Sequence, residues 1–238
     1  YNYDGDLLWE QTFDHSRTDK ALALAVDSLG AVYVGGYADQ SGWRAILVKY
    51  THDGILQWDH VFVGQASGRS MISGVLCEPD GYIYAAGNVG LIKFDSSGDT
   101  LWYRPYGENI WYYDFNYPLL AGHSGNFYIA LNSPLPGQST ASYSVRSYSS
   151  GGALRWLRRY QQDPGAHDIR ALALDSIGGV FVSGKAFGGS PLTGDDAVTI
   201  KYSETECLDM DSDSWCDADD NCVEIWNMAQ TDLDGDGV

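Results

Sequence analysis

The sequence lacks any basic residue after Lys201, although Glu204 to Asp236 contains twelve carboxylates. The rest of the chain has twenty acidic and fourteen basic residues. This split predicts two units of different chemistry. Because nucleic-acid binding requires a basic surface, the formal net charge of −18 argues against a nucleic-acid partner.

Long apolar runs are also missing, and none could cross a bilayer. No window combines a 3.6-residue hydrophobic period with helix caps, so we expect no helices. The chain has neither an initiator methionine nor a signal peptide and stops within an acidic repeat, so we expect a fragment or a mature segment. Glycine, tyrosine and tryptophan are abundant, and this composition favours turns and strands.

Cysteine is scarce outside the acidic tail. Cys77 lies in the apolar stretch SGVLCEPDG and is expected to be a buried free thiol. Cys207, Cys216 and Cys222 cluster in a segment with almost no apolar core, which favours disulfides in an oxidising compartment. Zinc is the alternative, but the surrounding carboxylates are hard ligands that suit calcium better.

An internal repeat organises the first 206 residues. Four segments have an aromatic residue, then glycine four residues later and tryptophan after another four: YNYDGDLLW, YTHDGILQW, FDSSGDTLW and YSSGGALRW. Between them lie four apolar runs that each turn into an alternating strand: LAVDSLGAVYVGG, VLCEPDGYIYAAG, LLAGHSGNFYIAL and LALDSIGGVFVSG. The turn glycines are Gly5, Gly30, Gly54, Gly81, Gly98, Gly125, Gly152 and Gly178.

A third apolar run leads into each next aromatic residue: AILVKY, GLIKF, YSVRSY and AVTIKY. Each unit therefore predicts four short strands joined by tight turns. Four strands in about 40–50 residues are typical of a β-propeller blade, so residues 1–206 are predicted to be all-β, with four four-stranded antiparallel blades. A β-sandwich and a β-solenoid are the alternatives.

The ends of this region raise the question of closure. The first unit supplies only an outer strand, near Leu7–Phe13, and the last unit has three inner strands without an outer one. Pairing of Leu7–Phe13 beside Val198–Tyr202 would close a four-bladed ring and leave no exposed sheet edge. The alternative is a larger ring with further blades upstream.

The motifs DSLGAVYVGG, AILVKY and DGILQW, with DSIGGVFVSG and AVTIKY, resemble a bacterial β-propeller repeat family often described as seven-bladed. The third unit, AGHSGNFYIAL, departs from this pattern, since it lacks the acidic turn residue and the final glycine. The resemblance implies a secreted or cell-surface scaffold, and it assigns no catalytic residue.

The acidic tail has the spacing of a calcium-binding loop. Carboxylates at positions 1, 3, 5, 9 and 12 of a twelve-residue loop, with a backbone carbonyl at position 7, wrap one Ca²⁺ ion. A second loop begins but stops at Val238, just after its sixth position, Gly237, so we expect it to bind Ca²⁺ poorly or not at all. The predicted ligands are Asp209, Asp211, Asp213, Trp215, Asp217 and Asp220 in the first loop, and Asp232, Asp234 and Asp236 in the second.

The tail, residues 207–238, lacks EF-hand helices and instead resembles a thrombospondin type 3 repeat through DMDSDSWCDADDNC and the later DLDGDG. Val223 and Ser214 replace the usual proline and glycine. The resemblance implies calcium-wrapped loops stapled by disulfides, with Cys207–Cys216 as the favoured pair and Cys216–Cys222 as the alternative. A disordered acidic linker is the other interpretation of the tail.

The sequence contains no phosphate loop, nucleotide fingerprint or paired catalytic acid and base, so no catalytic or cofactor-binding residue other than the calcium ligands is predicted. Lys49, Lys93 and Lys201 are expected to pack their stems over neighbouring aromatics. An aromatic stretch at residues 108–118 is interpreted as core between blades or as a recognition surface. Its aromatic residues are Trp111, Tyr112, Tyr113, Phe115 and Tyr117.

These features favour a non-enzymatic, secreted or cell-surface scaffold that binds an extracellular protein or carbohydrate and carries a calcium-stabilised stalk. The alternative is an extracellular propeller enzyme, a polysaccharide lyase or hydrolase, acting at the central channel. Since the fold hosts both functions, only the site can decide between them.

Overall fold

The computed structural model describes residues 4–15, 18–39, 42–62, 69–106, 118–122, 125–134, 141–160, 168–176, 178–187 and 195–203. The chain divides into two compact units, Tyr1–Leu119 and Leu120–Val238, and each is described by itself. Within the described ranges there is no α-helix, and no helix there is long and apolar enough to span a membrane. The predicted all-β class is therefore confirmed.

The first unit contains two four-stranded antiparallel sheets. Sheet 1 has the order β1-β2-β3-β4 and sheet 2 the order β5-β6-β7-β8, so each chain neighbour is also a spatial neighbour. The strands are β1 Asp19–Val26, β2 Val32–Asp39, β3 Trp43–Tyr50, β4 Leu56–Phe62, β5 Ile72–Cys77, β6 Ile83–Gly87, β7 Gly90–Phe94 and β8 Thr100–Arg104. This up-and-down order is that of a propeller blade.

The second unit repeats the pattern. Sheet 3 contains four antiparallel strands, β9 to β12, and sheet 4 contains three, β13 to β15. The strands are β9 Leu119–Ala121, β10 Phe127–Pro134, β11 Ala141–Tyr148, β12 Leu154–Tyr160, β13 Asp168–Leu174, β14 Gly179–Phe187 and β15 Asp195–Ser203. The inner triplet of every predicted repeat is therefore present, and three of the four predicted outer strands form.

Tight turns explain why glycine recurs in the sequence: sheets 1 to 3 have two glycine turns each, sheet 4 has one at Gly178, and Gly5 precedes the first strand. All eight predicted turn glycines have φ between 73° and 92°, a region that side-chain-bearing residues rarely adopt. In the turn between β3 and β4, Gly54 N–H donates to the carbonyl of Thr51 at 3.0 Å, and Ile55 N–H donates to the Thr51 hydroxyl at 3.0 Å. Backbone and side chain together close the hairpin at a fixed length.

Side chains alternate between the two faces of each sheet. We name these two faces after the residues that β2 places on them in sheet 1. The tyrosine face carries Tyr33, and the valine face carries Val32 and Val34. In the first unit, Tyr33, Ala45 and Leu47 of the tyrosine face of sheet 1 pack against Ile83, Ala85 and Ile92 of the corresponding valine face of sheet 2. Sheets therefore bury their apolar residues against one another.

The second unit packs in the same direction. Tyr128, Ala130 and Val145 of the tyrosine face of sheet 3 contact Val180 and Val182 of the valine face of sheet 4. The core of each unit thus lies between two sheets and is built by the alternating residues of the repeat.

The pairing of Leu7–Phe13 with Val198–Tyr202, one of the two alternatives that the sequence left open, does not form in this structure. Residues 5–14 form no strand, and sheet 4 remains three-stranded. Instead, Trp9 and Phe13 use their side chains to contact sheet 1: Trp9 lies 6.3 Å from Tyr50 by ring centroids, and Phe13 packs on the cluster of Ile46 and Val48. A strand needs a backbone edge to pair with, and side-chain packing does not supply one.

Candidate binding edge

The two ends of each sheet differ in how the strands are connected. At one end, which we call the short-turn edge, the hairpins between first and second strands and between third and fourth strands are closed by the glycine turns. At the other end, the long-connection edge, the linking segments have no common length. Between second and third strands they span three, two, six and seven residues, and after the outer strands nine, fourteen and seven.

An aromatic and cationic stack lies at the long-connection edge of sheet 1. The Trp43 ring is stacked on Tyr37 with centroids 4.4 Å apart, and the Arg69 guanidinium lies 4.8 Å from the Trp43 centroid. Tyr37 is buried, Trp43 half-buried and Arg69 exposed. The stack therefore presents a positive group on an aromatic base, which suits polar or anionic partners.

Backbone contacts hold this stack in place. Trp43 and Arg69 form a parallel bridge, and Ser70 N–H donates to the Trp43 carbonyl at 2.8 Å. The Asn88 amide fixes the backbone of the residues that precede β5. It donates to the Arg69 carbonyl at 2.8 Å and accepts from Met71 N–H at 2.8 Å. Arg69 is consequently carried on a positioned backbone.

Sheet 3 has an asparagine at the corresponding edge. Asn132 accepts from Ile169 N–H at 3.0 Å and donates to the Asp168 carboxylate at 3.1 Å, which fixes the start of β13. Asp168 also contacts Arg170. Polar side chains thus fix the first residues of inner strands at this edge in both units.

The short-turn edge carries a different set of polar groups with a structural role. Tyr33 and Tyr84 donate their hydroxyl protons to Asp27 and Glu78, each at 3.1 Å. Burial, followed by the neighbouring carboxylate, raises the pKa of both tyrosines above the ordinary value. In sheet 4 the tyrosine is replaced by Phe181, and Asp175 instead accepts from Lys201 at 3.0 Å.

The predicted lysine packing is confirmed. The ammonium groups of Lys49, Lys93 and Lys201 lie 5.2, 4.9 and 4.9 Å from the ring centroids of Tyr33, Tyr84 and Phe181. Lys49 additionally donates to the Ser96 carbonyl of the next sheet at 2.8 Å. These lysines therefore stabilise the repeat.

Cys77 is a free thiol, as predicted, and is half-buried between sheets 1 and 2. Burial, with a smaller contribution from Asp27, raises the pKa of its thiol to about 12. Since the thiolate is the reactive form, Cys77 is suited to packing rather than to nucleophilic chemistry.

Every predicted calcium ligand lies outside the described residues, which end at Ser203, and so does the proposed domain boundary at residue 206. Trp111, Tyr112, Tyr113, Phe115 and Tyr117 also lie outside them. Among the residues that are described, no group of three or more His, Cys, Asp and Glu could hold a metal ion. The calcium site and the role of the aromatic stretch therefore stay predictions.

Sequence reasoning missed the stack of Tyr37, Trp43 and Arg69. One signal was available, because Trp43 does not belong to the repeated tryptophan series. A tryptophan that the repeat does not require has a local reason to be there. Its partner Arg69 could not be identified, since the parallel bridge that brings the two together leaves no sequence pattern.

No protein-family model matches the chain, and no curated protein matches it by sequence. In structure the chain is similar to a protein of unknown function from Bacteroides caccae, with a TM-score of 0.50, 10% identity, and coverage of 83% of this chain and 68% of that one. At this identity the likeness shows the fold alone.

Two weaker structural likenesses carry no argument because their TM-scores are below 0.5. One is to the extracellular domain assigned to the hybrid two component system BT3049 of B. thetaiotaomicron, with a TM-score of 0.44, 16% identity, and coverage of 69% of this chain and 20% of that one. The other is to a GH43 endo-arabinanase from Bacillus licheniformis, with a TM-score of 0.24, 8% identity, and coverage of 81% and 94%.

Proposed function

We propose that the protein is a non-enzymatic binding module of the secreted or cell-surface type, which recognises an extracellular protein or carbohydrate at its long-connection edge. The observation that carries this proposal is the contrast between the two edges. Glycine turns of fixed geometry close one edge, while the connections at the other edge range in length from two to fourteen residues. Binding residues are commonly carried on variable connections that a rigid scaffold positions.

The stack at this edge supplies suitable chemistry. A guanidinium above an indole presents N–H donors in a plane, and such donors match carboxylate, sulfate or hydroxyl oxygens of a ligand. Because Arg69 is exposed while Tyr37 beneath it is buried, the ligand-facing group is accessible and its base is fixed. Such an arrangement favours binding over turnover.

We further propose that residues 207–238 form a calcium-stabilised stalk beside this module. The support is the sequence: the carboxylates of Asp209, Asp211, Asp213, Asp217 and Asp220 have the spacing of one calcium loop, with the Trp215 carbonyl at position 7. Without a cation these charges would repel one another at close range. Asp232, Asp234 and Asp236 have the spacing of the first three ligands of a second loop.

The binding proposal is tested on an array of defined polysaccharides and purified extracellular-matrix proteins, using Arg69→Ala and a matched control. The control is Arg155→Ala, because Arg155 lies at the short-turn edge and its guanidinium bonds the Ser147 hydroxyl at 3.3 Å. We expect the wild type to be retained by at least one probe, with retention weakened about 10-fold or more by Arg69→Ala alone. Equal retention of both variants contradicts the proposal, and cleavage of a bound polysaccharide favours the enzyme alternative.

The stalk is tested by limited proteolysis of the whole chain with and without a calcium chelator. We expect chelation to make residues 207–238 sensitive to protease while residues 1–206 stay resistant. Cleavage of the tail at the same rate in both conditions would show that calcium does not fold it.

A further inference from the structure

Both faces of the Trp43 indole are covered by groups of the protein itself. Tyr37 lies on one face, with the ring centroids 4.4 Å apart and the two planes 15° from parallel. The Arg69 guanidinium lies 4.8 Å from the Trp43 centroid, and since Tyr37 already covers one face, Arg69 lies on the other. No face of this indole is left for a sugar ring to stack on, so the stack does not recognise a neutral sugar in that way.

The group that the stack presents outward is the edge of the guanidinium. Arg69 is exposed, whereas Trp43 is half-buried and Tyr37 is buried. A guanidinium that lies flat on a ring keeps its N–H groups in one plane, where they can donate in pairs to the two oxygens of a carboxylate or sulfate. The geometry therefore favours an oxyanion over an uncharged hydroxyl group.

The repeat does not account for this pair, although it accounts for another pair of arginine and tryptophan in the same unit. The Arg104 guanidinium lies 5.2 Å from the Trp102 centroid. Arg104 follows the repeat tryptophan by two residues on β8, so strand alternation alone places both side chains on one face. Trp43 and Arg69 belong to different segments, which a parallel bridge brings together. Their contact is thus an addition to the repeat.

A second exposed cation, Lys20, lies at the other end of the same row of side chains. Lys20 pairs directly with Tyr37 across β1 and β2, so both side chains are on the tyrosine face. The repeat does not require a lysine here, because the corresponding residue of sheet 2 is Met71, which is fully buried. Three strand spacings and a shift along the strands separate the backbones of Lys20 and Arg69, so the two cations flank the aromatic pair roughly 15 Å apart.

The carboxylates nearest to this row along the strands accept hydrogen bonds from backbone amides. Asp39 pairs with Trp43 across β2 and β3, and its carboxylate accepts from Gly42 N–H at 3.2 Å. Asp19 lies on the valine face and accepts from His15 N–H at 2.7 Å. Among the described residues of the row, two cations therefore stand beside one carboxylate.

Building on the binding edge proposed above, we infer that its ligand is a linear acidic polysaccharide, whose carboxylate or sulfate groups are bound by Arg69 and Lys20. Two cations roughly 15 Å apart suit a chain that carries anionic groups at regular intervals better than one small anion. An acidic peptide would commonly gain affinity by adding its backbone to a sheet edge. This row runs across the strand ends, where no sheet edge lies parallel to it.

Matched pairs of polymers test the ligand class on the full chain. Polygalacturonate carries a carboxylate on each sugar, and its methyl ester has the same backbone without that charge. Dextran sulfate and dextran form the corresponding pair for sulfate. Titration calorimetry in a calcium chelator prevents calcium from bridging the polymer to the carboxylates of residues 207–238. We expect at least one acidic polymer to bind about 10-fold or more tightly than its neutral partner.

Substitutions test the two cations. Arg69→Ala and Lys20→Ala should each weaken binding of the acidic polymer about 5-fold or more. Arg69→Lys keeps the charge but loses the paired donors, so it should retain only part of the affinity. Arg104→Ala is the matched control, because it also removes a guanidinium that lies on a tryptophan of the first unit, and it should bind like the wild type.

The possible failures separate this inference from the binding edge itself. A neutral polymer that binds as tightly as its acidic partner, with both weakened by Arg69→Ala, would overturn the acidic class and leave the binding edge intact. Retention of another probe without binding of either acidic polymer would do the same. Polyglutamate that binds more tightly than both acidic polymers would overturn the choice of a polysaccharide. Unchanged affinity of Arg69→Ala for every probe would overturn both proposals.

Discussion

The short-turn edge and the long-connection edge obey different rules, although the same strands join them. At the short-turn edge, side-chain caps and backbone bonds recur at equivalent positions: Thr51, Asp95 and Ser149 each accept from the N–H four residues on, at 3.0, 3.0 and 3.2 Å. At the long-connection edge the side chains of Asn88 and Asn132 both fix the start of a neighbouring inner strand, but the connections range from two to fourteen residues. The first edge fixes the geometry of the sheet, and the second is free to carry a site.

The largest loss of stability is expected when a methyl group is added to a turn glycine of the short-turn edge that also contacts the neighbouring sheet. Gly98 has φ of 92°, and a Cβ there would lie 2.9 Å from Trp58 and 2.7 Å from His60. We expect Gly98→Ala to lower the free energy of unfolding by about 3 kcal/mol, from backbone strain and overpacking together. Urea denaturation measures this loss.

Gly81→Ala is the matched control for this substitution. Gly81 has φ of 89°, but nothing lies within 4 Å of an added Cβ. Only backbone strain remains, so a loss of about 1 kcal/mol is expected. Equal losses of unfolding free energy for Gly98→Ala and Gly81→Ala would mean that close packing of Trp58 against the Gly98 turn does not add to the cost of the substitution.

The sequence predicted the short-turn edge well, because its determinants are local. The positions of Gly54 and Gly98, four residues after an aromatic, and the alternation that follows are sufficient to define hairpins. The face on which a sheet packs, and the stack of Trp43 with Arg69, depend on residues far apart in the chain. The missing strand at Leu7–Phe13 has the same cause, since local pattern specifies strand tendency but not the edge that would satisfy it.

Removing one hydroxyl group from the short-turn edge tests whether its side-chain bonds stabilise the fold, and an intermediate loss of stability is expected. Tyr84→Phe deletes the bond to Glu78, and we expect a loss of about 1 kcal/mol at pH 8. Burial raises the pKa of Tyr84 in the folded protein, so above pH 10 the unfolded tyrosine loses its proton first and wild-type stability falls as the pH rises. Tyr84→Phe lacks this contribution.

The difference in the free energy of unfolding between the wild type and Tyr84→Phe should therefore become smaller from pH 8 to pH 10.5, as measured by urea denaturation. Phe181→Tyr provides the reverse substitution as a control. Asp175 already accepts from Lys201, so the added hydroxyl should change stability little. A difference that widens with pH would rule out a buried, proton-retaining Tyr84.

The smallest effect is expected from lengthening a connection at the long-connection edge. Inserting Gly-Ser-Gly-Ser within the fourteen-residue connection between β8 and β9 should cost well under 1 kcal/mol, because doubling a loop costs only about 0.6 kcal/mol. The same insertion between Asp53 and Gly54 separates the bonded atoms of Thr51 and Gly54 and removes the support of Trp9, so it should be several-fold more destabilising. Thermal unfolding of both variants compares the edges directly. If the two insertions cost the same, variable length at the long-connection edge would reflect no greater tolerance there, and the reason for placing the binding site at that edge would be lost.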